Sequence, residues 1–365
     1  MLIVKVKIDH IFPVQRLYAI SRSFVKTGLL LIISLLFYNA SKAQKFGWEV
    51  TLYGFADNRE YKSSVQIPQT FMGTLFTPEV GLQIDSLSAI RVGATTLFEF
   101  GSNQFQDKVY PQLYYSFCGS KFKFLFGAFS RHKVFDNAPA ALYYDSLYYF
   151  RPYINGLFWT YNGNSFRQSV YLDWTSRQTQ SIRETFIMGG EGQCHFGDFF
   201  LHHHLYMYHY AKTASPSPNE FIRDNGALYL LVGYDLTQKL ALDSLCIGVG
   251  GIQSYERSRN DMVWHTPYGF LFEVLAQYKG FGIKNIFYYG KGHALDWGDP
   301  FYRLKQYDRF DIYFTPLRLH GVEGRFGISM HFAENRISHQ QQFYLRVNIG
   351  SFAKKKLNHH PPEIW

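Results

Sequence analysis

Hydrophobic and polar positions alternate with a period of two across residues 44–353, in runs of about 9 to 14 residues separated by turn residues. In the segment 340–352, Phe343, Leu345, Val347 and Ile349 share one face, and Gln342, Tyr344, Arg346 and Asn348 share the other. Segment 324–332 repeats this, with Phe326, Ile328, Met330 and Phe332 against Arg325, Gly327, Ser329 and His331. Leu228, Leu230 and Val232 oppose Tyr229, Gly233 and Asp235. Phe310, Ile312 and Phe314 oppose Arg309, Asp311 and Tyr313, and Phe122, Phe124 and Phe126 oppose Lys121 and Lys123. Strands are predicted near 48–56, 74–84, 89–101, 108–118, 121–130, 153–162, 166–176, 183–195, 198–211, 226–236, 241–255, 266–279, 281–291, 305–316, 319–332 and 340–352, sixteen in all.

A water-soluble sandwich also alternates, so the connections decide between architectures. Every odd-numbered link reads longer than the turns beside it: about 17 residues follow the first strand and 22 separate the fifth from the sixth, against two at Gly119–Ser120. Long loops on one rim and short turns on the other, with both chain ends on the short-turn side, predict an all-β, antiparallel up-and-down transmembrane barrel. In lipid every backbone N–H and C=O needs a partner within the protein, and a closed barrel provides one for each. A lipid-facing Arg or Lys at mid-membrane costs about 2–4 kcal/mol. Arg91, Glu99, Asp235, Glu273, Arg325 and Arg346 all fall opposite the apolar set and are expected to face the lumen. Trp48, Tyr53, Phe98, Phe100, Tyr110, Trp159, Trp174, Tyr255 and Tyr278, near strand ends, suit aromatic girdles.

Composition narrows the alternatives. With 47% apolar and 19% aromatic residues the 365-residue chain is not disordered, and it has no apolar run long enough for a membrane-spanning helix. The net charge of +9 is concentrated at the ends: residues 1–43 carry +5 and residues 354–365 carry +2, which leaves +2 for the body and no basic face for nucleic acid. Lys5, Lys7, Arg16, Arg22 and Lys26 precede GLLLIISLLF (28–37) and Ser41-Lys42-Ala43. This order marks residues 1–43 as an export signal peptide, 44–353 as the barrel and 354–365 as a tail. Cys118, Cys194 and Cys246 are too scattered for a disulfide framework or a metal motif and are expected to be small packing residues.

The signal ending SKAQ, TPEVGLQID (77–85), VYLDWTSRQT (170–179) and the closing strand FYLRVNIGSF (343–352) together resemble Gram-negative outer-membrane porins, specifically porin-like barrels of the Bacteroidota. The resemblance implies an outer-membrane location among lipids and insertion by the barrel-assembly machinery, with Phe352 as the closing aromatic residue. It also implies a homotrimer as the candidate assembly. In general porins the loop after strand five folds inward, so Arg131, His132, Lys133, Asp136, Asp145 and Arg151 become candidate constriction charges.

Sixteen strands are wide enough for an aqueous channel. The function expected is therefore a pore for passive diffusion of small hydrophilic solutes, not an enzyme, with no cofactor and no metal. Two alternatives stay open: a polysaccharide export conduit, and a barrel-embedded lipid hydrolase or acyltransferase. For the enzyme, Ser329 and His331 on one inward row are the kind of pair required, although no GxSxG motif accompanies them. His202 and His204 share a strand face with Tyr206 and Tyr208, without a sequence-local third metal ligand, while His203 faces lipid. Tyr143, Tyr144, Tyr148 and Tyr149 in the long loop would suit stacking on sugar rings.

Overall fold

The computed structural model describes residues 45–134, 138–260 and 262–352. The expected signal peptide and C-terminal tail lie outside the described residues, as does Asp136. Within them the chain forms sixteen strands. The first eight are β1 (Lys45–Glu60), β2 (Gln69–Gln83), β3 (Ser88–Glu99), β4 (Lys108–Cys118), β5 (Phe122–Ser130), β6 (Tyr153–Asn162), β7 (Phe166–Ser176) and β8 (Thr185–Phe196). The rest are β9 (Phe199–Tyr210), β10 (Arg223–Asp235), β11 (Ser244–Ser258), β12 (Tyr268–Tyr278), β13 (Phe281–Gly290), β14 (Gln306–Leu319), β15 (Val322–Ala333) and β16 (Arg336–Gly350). Each strand pairs with its sequence neighbours, and β1 closes antiparallel on β16, so the sheet has no open edge.

The outer face is apolar because the alternation places one side of every strand toward lipid. Leu113, Phe126, Leu205, Leu230, Val249, Phe270 and Ile328 are all exposed there. This belt is what a membrane-embedded barrel requires. Tyr53 and Tyr110, expected in the girdles, turn inward instead: Tyr53 packs on His132 and Tyr110 on Tyr153. Phe352 also turns in, lying 4.2 Å under the Arg91 guanidinium, because the strand ends at Gly350 with φ +135°.

The loop-length rule holds except at the last hairpin. β15 and β16 are joined by Glu334–Asn335, with φ +52° and +57°, the two-residue geometry that matches strand twist. The expected longer loop there is an extension of β16, whose polar start (Ser338, Gln340) faces inward and so lacks the apolar signature of a strand.

Side chains and two inward connections fill much of the barrel interior. Strand number sets the circumference of a barrel but not what occupies it. Inward-facing Phe129, Ile154, Ile187, Phe200, Tyr206, Tyr229, Leu271, Tyr288 and Tyr307 are all buried. Two long connections fold in among them. Residues 131–152 contribute Leu142, Tyr143 and Leu147, and residues 291–305 contribute Leu295, Phe301 and Tyr302 to one continuous core. Phe301 stacks on Tyr307 and His331 at 4.9 Å from each. Toward the short-turn rim Arg325, Tyr344, Arg346 and Asn348 are only partly buried, so the packing loosens there.

Candidate functional site

The inward loop brings most of the expected constriction residues together, each against a partner on the wall. Arg131 and Arg151 grip the two oxygens of Asp173 on β7, at 2.5 and 2.7 Å. Lys133 reaches Glu79 at 2.5 Å, Glu49 at 3.3 Å and the Tyr114 hydroxyl at 3.0 Å. Asp145 lies 3.4 Å from Arg309, and His132 packs between Tyr53 and Tyr148. These charges brace the loop against the barrel. Tyr143 hydrogen-bonds Tyr171, Tyr149 stacks on Phe55 at 4.2 Å and Tyr144 lies against Trp297, so the loop tyrosines serve packing and do not present open faces to sugars.

The lumen-facing set does point inward. Arg91 bonds Glu49 at 2.9 Å, Glu273 accepts from Tyr229, Arg325 donates to Thr315, and Arg346 lines a cavity of about 20 Å³ with Tyr53 and His132. Glu99 and Asp235 sit at opposite rims on the same face. His202 and His204 turn inward with rings 4.5 Å apart, and His203 turns outward over Gly192. Among the described residues no three His, Cys, Asp or Glu side chains gather to hold a metal ion.

Ser329 and His331 do not form a dyad. His331 Nδ1 pairs with the Tyr307 hydroxyl at 2.7 Å and its Nε2 with Gln340, while Ser329 accepts from Arg309. A second Ser–His contact, Ser254 Oγ to His293 Nδ1 at 2.7 Å, is sealed beneath the loop 291–305. Burial pushes His293 down to about 4. Its depressed value means the docked loop holds a neutral imidazole, whereas an opened loop would bind a proton below about pH 6.5. Loop docking is therefore undiminished above that pH and weakens as pH falls toward 4. At about pH 5 the loop is expected to open at least tenfold more often than at neutrality, visible as a change in Trp297 fluorescence.

The outer wall carries a different kind of site. A trench of about 470 Å³ crosses the seam where β1 meets β16, extending from β13 to β2. Two register rows form it. Phe281, Phe314, Phe326, Phe343 and Ala56 are successive strand partners, and Ile312, Ile328, Gln341 and Asn58 lie one row above. Barrel strands tilt, so rows that follow the hydrogen bonds run obliquely across the membrane. This trench begins at Phe281, just after the short Lys279–Gly280 turn, and rises to Asn58 and Thr70 near the long-loop rim. Five strand spacings give it a length of roughly 24 Å, the scale of an extended acyl chain.

The upper end of the trench is polar. Thr70 Oγ1 donates to Asn58 Oδ1 at 2.7 Å, Asn58 Nδ2 donates to Gln341 Oε1 at 2.7 Å, and Asn58 Nδ2 also approaches Glu60 Oε1 at 3.3 Å. One row higher Glu60 and His339 are direct partners across the seam. Both face outward, since Ser338 and Gln340 beside His339 are buried inside, and directly opposed side chains have Cβ atoms about 5 Å apart. A carboxylate and an imidazole on adjacent strands above a hydrocarbon trench place acid–base groups at the membrane surface, with the Glu60 carboxylate resting 3.3 Å from Asn58 Nδ2. Sequence patterning missed it because Asn58, Glu60, Thr70 and His339 fall in segments that read as loops, and only barrel closure brings β1 beside β16.

A closed sixteen-stranded barrel with an apolar girdle and an inward loop defines a porin-like outer-membrane β-barrel. Solved structures agree at the level of fold: OmpT of Vibrio cholerae in its trimer form (10% identity, 84% of this chain and 100% of that chain, TM-score 0.52) and an anion-selective porin of Comamonas acidovorans (10% identity, 84% and 99%, TM-score 0.50). No curated protein matches the chain in sequence. Residues 38–356 match the profile of the Lipid A 3'-O-deacylase-type family, and the chain belongs to that family. Because the family takes its description from an enzyme, this membership overturns the expectation that the barrel is not an enzyme. That expectation rested on barrel width and on a missing nucleophile motif, and neither bears on acid–base groups brought to one rim where β1 closes on β16.

Proposed function

We propose that this barrel is a lipid hydrolase that removes a 3'-O-linked acyl chain from lipid A, working from its outer wall. The observation that carries the reading is the trench with Glu60 and His339 above it, on the face that lipids contact. The acyl chain lies among Phe281, Phe314, Phe326 and Ile328, and its ester carbonyl rests near Gln341 and Asn58. His339 takes a proton from water as the water oxygen attacks the carbonyl carbon. Glu60 steadies the resulting imidazolium, and side-chain amides donate to the oxyanion. Collapse breaks the ester C–O bond, and His339 returns the proton to the departing sugar hydroxyl.

Incubating the purified barrel in detergent with lipid A tests this by mass spectrometry. The expected product has lost one acyl chain and retains a free hydroxyl. An unchanged lipid mass after prolonged incubation would remove the reading. Solute diffusion or polymer export through the lumen is the second reading, supported by the porin-like fold and the inward loop. It requires the braced plug to leave, whereas the trench is already open to lipid.

A further inference from the structure

On the wall opposite the β1–β16 seam, one register row runs outward-facing across the long-loop ends of five strands. Trp174, Phe186, His209, Asp224 and Arg257 are successive partners. Trp174 stacks on Phe186 at 5.2 Å and Phe186 on His209 at 4.9 Å. Asp224 lies between two guanidiniums. It accepts from Arg257 Nη2 at 2.7 Å and from Arg259 Nε and Nη2 at 3.0 Å each, while His209 Nδ1 is 3.8 Å away. The Arg257 guanidinium also lies 4.1 Å over the Trp264 ring.

One carboxylate shared by two arginines leaves the cluster positive. Each arginine turns its Nε–Nη2 edge to Asp224, and each guanidinium has further N–H donors on its Nη1 side. Such a pair, held rigid by a carboxylate and a ring, is preorganised for a phosphate. Beside it the β11–β12 loop exposes Met262 and Trp264. Exposed apolar groups next to paired guanidiniums suit the boundary between acyl chains and headgroups, and a dissolved anion would have no use for them.

We propose that this rim cluster binds the phosphorylated headgroup of an outer-leaflet glycolipid. Arg257 and Arg259 hold the phosphate, Asp224 fixes their orientation, and Trp174 and Trp264 sit at the level where sugar meets acyl chain. This goes beyond acyl hydrolysis at the seam, lies on a different face, and holds whatever chemistry the trench performs.

The test uses the intact barrel in phosphatidylcholine nanodiscs containing bisphosphorylated lipid A, dephosphorylated lipid A, or inorganic phosphate alone, with native mass spectrometry reading retained lipid. The wild-type barrel is expected to retain the bisphosphorylated form preferentially. R257Q/R259Q is expected to weaken that retention by about tenfold or more. R257K/R259K, which keeps charge but loses the fork, is expected to fall between them. A heat-dependent gel shift reports that each variant is folded, and the lysine variant carries the comparison if the glutamine variant does not fold. Equal retention by the folded variants, or equal binding of dephosphorylated lipid, would overturn the proposal. Protection of Arg257 and Arg259 from phenylglyoxal by inorganic phosphate alone would overturn it as well, by assigning the cluster to free anions.

Discussion

Replacing His339 by alanine is expected to slow acyl release from lipid A by about a hundredfold to ten-thousandfold, the range a positioned general base contributes. The barrel itself should stay folded, because His339 faces outward at the rim and its inward neighbours Ser338 and Gln340 are untouched. Glu60→Gln is expected to give a smaller loss, since the carboxylate acts only through the imidazole opposite it. Ile328→Trp fills the trench while leaving both groups in place, so it should impair hydrolysis of long acyl chains and spare a short-chain ester. Full activity in the His339 variant would move the chemistry away from the seam. A uniform loss on all esters in the Ile328 variant would separate the trench from chain recognition. Initial rates of fatty-acid release on the two substrates distinguish these outcomes.

The second large effect is on stability. Asp173 is buried and accepts from Arg131, Arg151 and the Asn155 backbone N–H, so it fastens both ends of the inward loop to β7. Asp173→Asn leaves two guanidiniums without their counter-charge in a packed interior, and breaking a buried pair of this kind costs about 3–5 kcal/mol. Asp145→Asn should cost much less, because Asp145 remains more accessible and Arg309 keeps Asp311 at 2.8 Å. The unfolding midpoint in detergent, followed by the heat-dependent gel shift, is expected to drop for the first variant and barely move for the second. Equal midpoints would mean that the aromatic core alone holds the loop.

The contrast between strands and lumen shows what could be read from the chain. Phe326, Ile328, Met330 and Phe332 announced a lipid-facing strand because hydrocarbon imposes a strict rule on one face. The inward face obeys no such rule. Tyr206, Tyr229, Tyr288 and Tyr307 are amphipathic, and the same residues line a wet channel or pack a dry core depending on what the loops do. Their burial was settled by residues 131–152 and 291–305 folding in, an arrangement fixed by long-range contacts such as Phe301 on His331. The loop's inward course was foreseen by resemblance, but its pairing with Asp173, Glu49 and Glu79 was not. The trench was hidden for a different reason: its rows join residues from the two ends of the chain, and its polar end is built from Asn58, Thr70 and His339, whose segments lack apolar alternation.

Planar-bilayer recording of the intact wild-type chain tests most directly whether this barrel works from its outer wall. A packed interior with two braced loops is expected to give no steady conductance at ordinary holding potentials, from the same preparation in which the proposed lipid A deacylation is assayed. Stable ohmic steps that grow with salt concentration would contradict this and place a water-filled path where the aromatic core now lies.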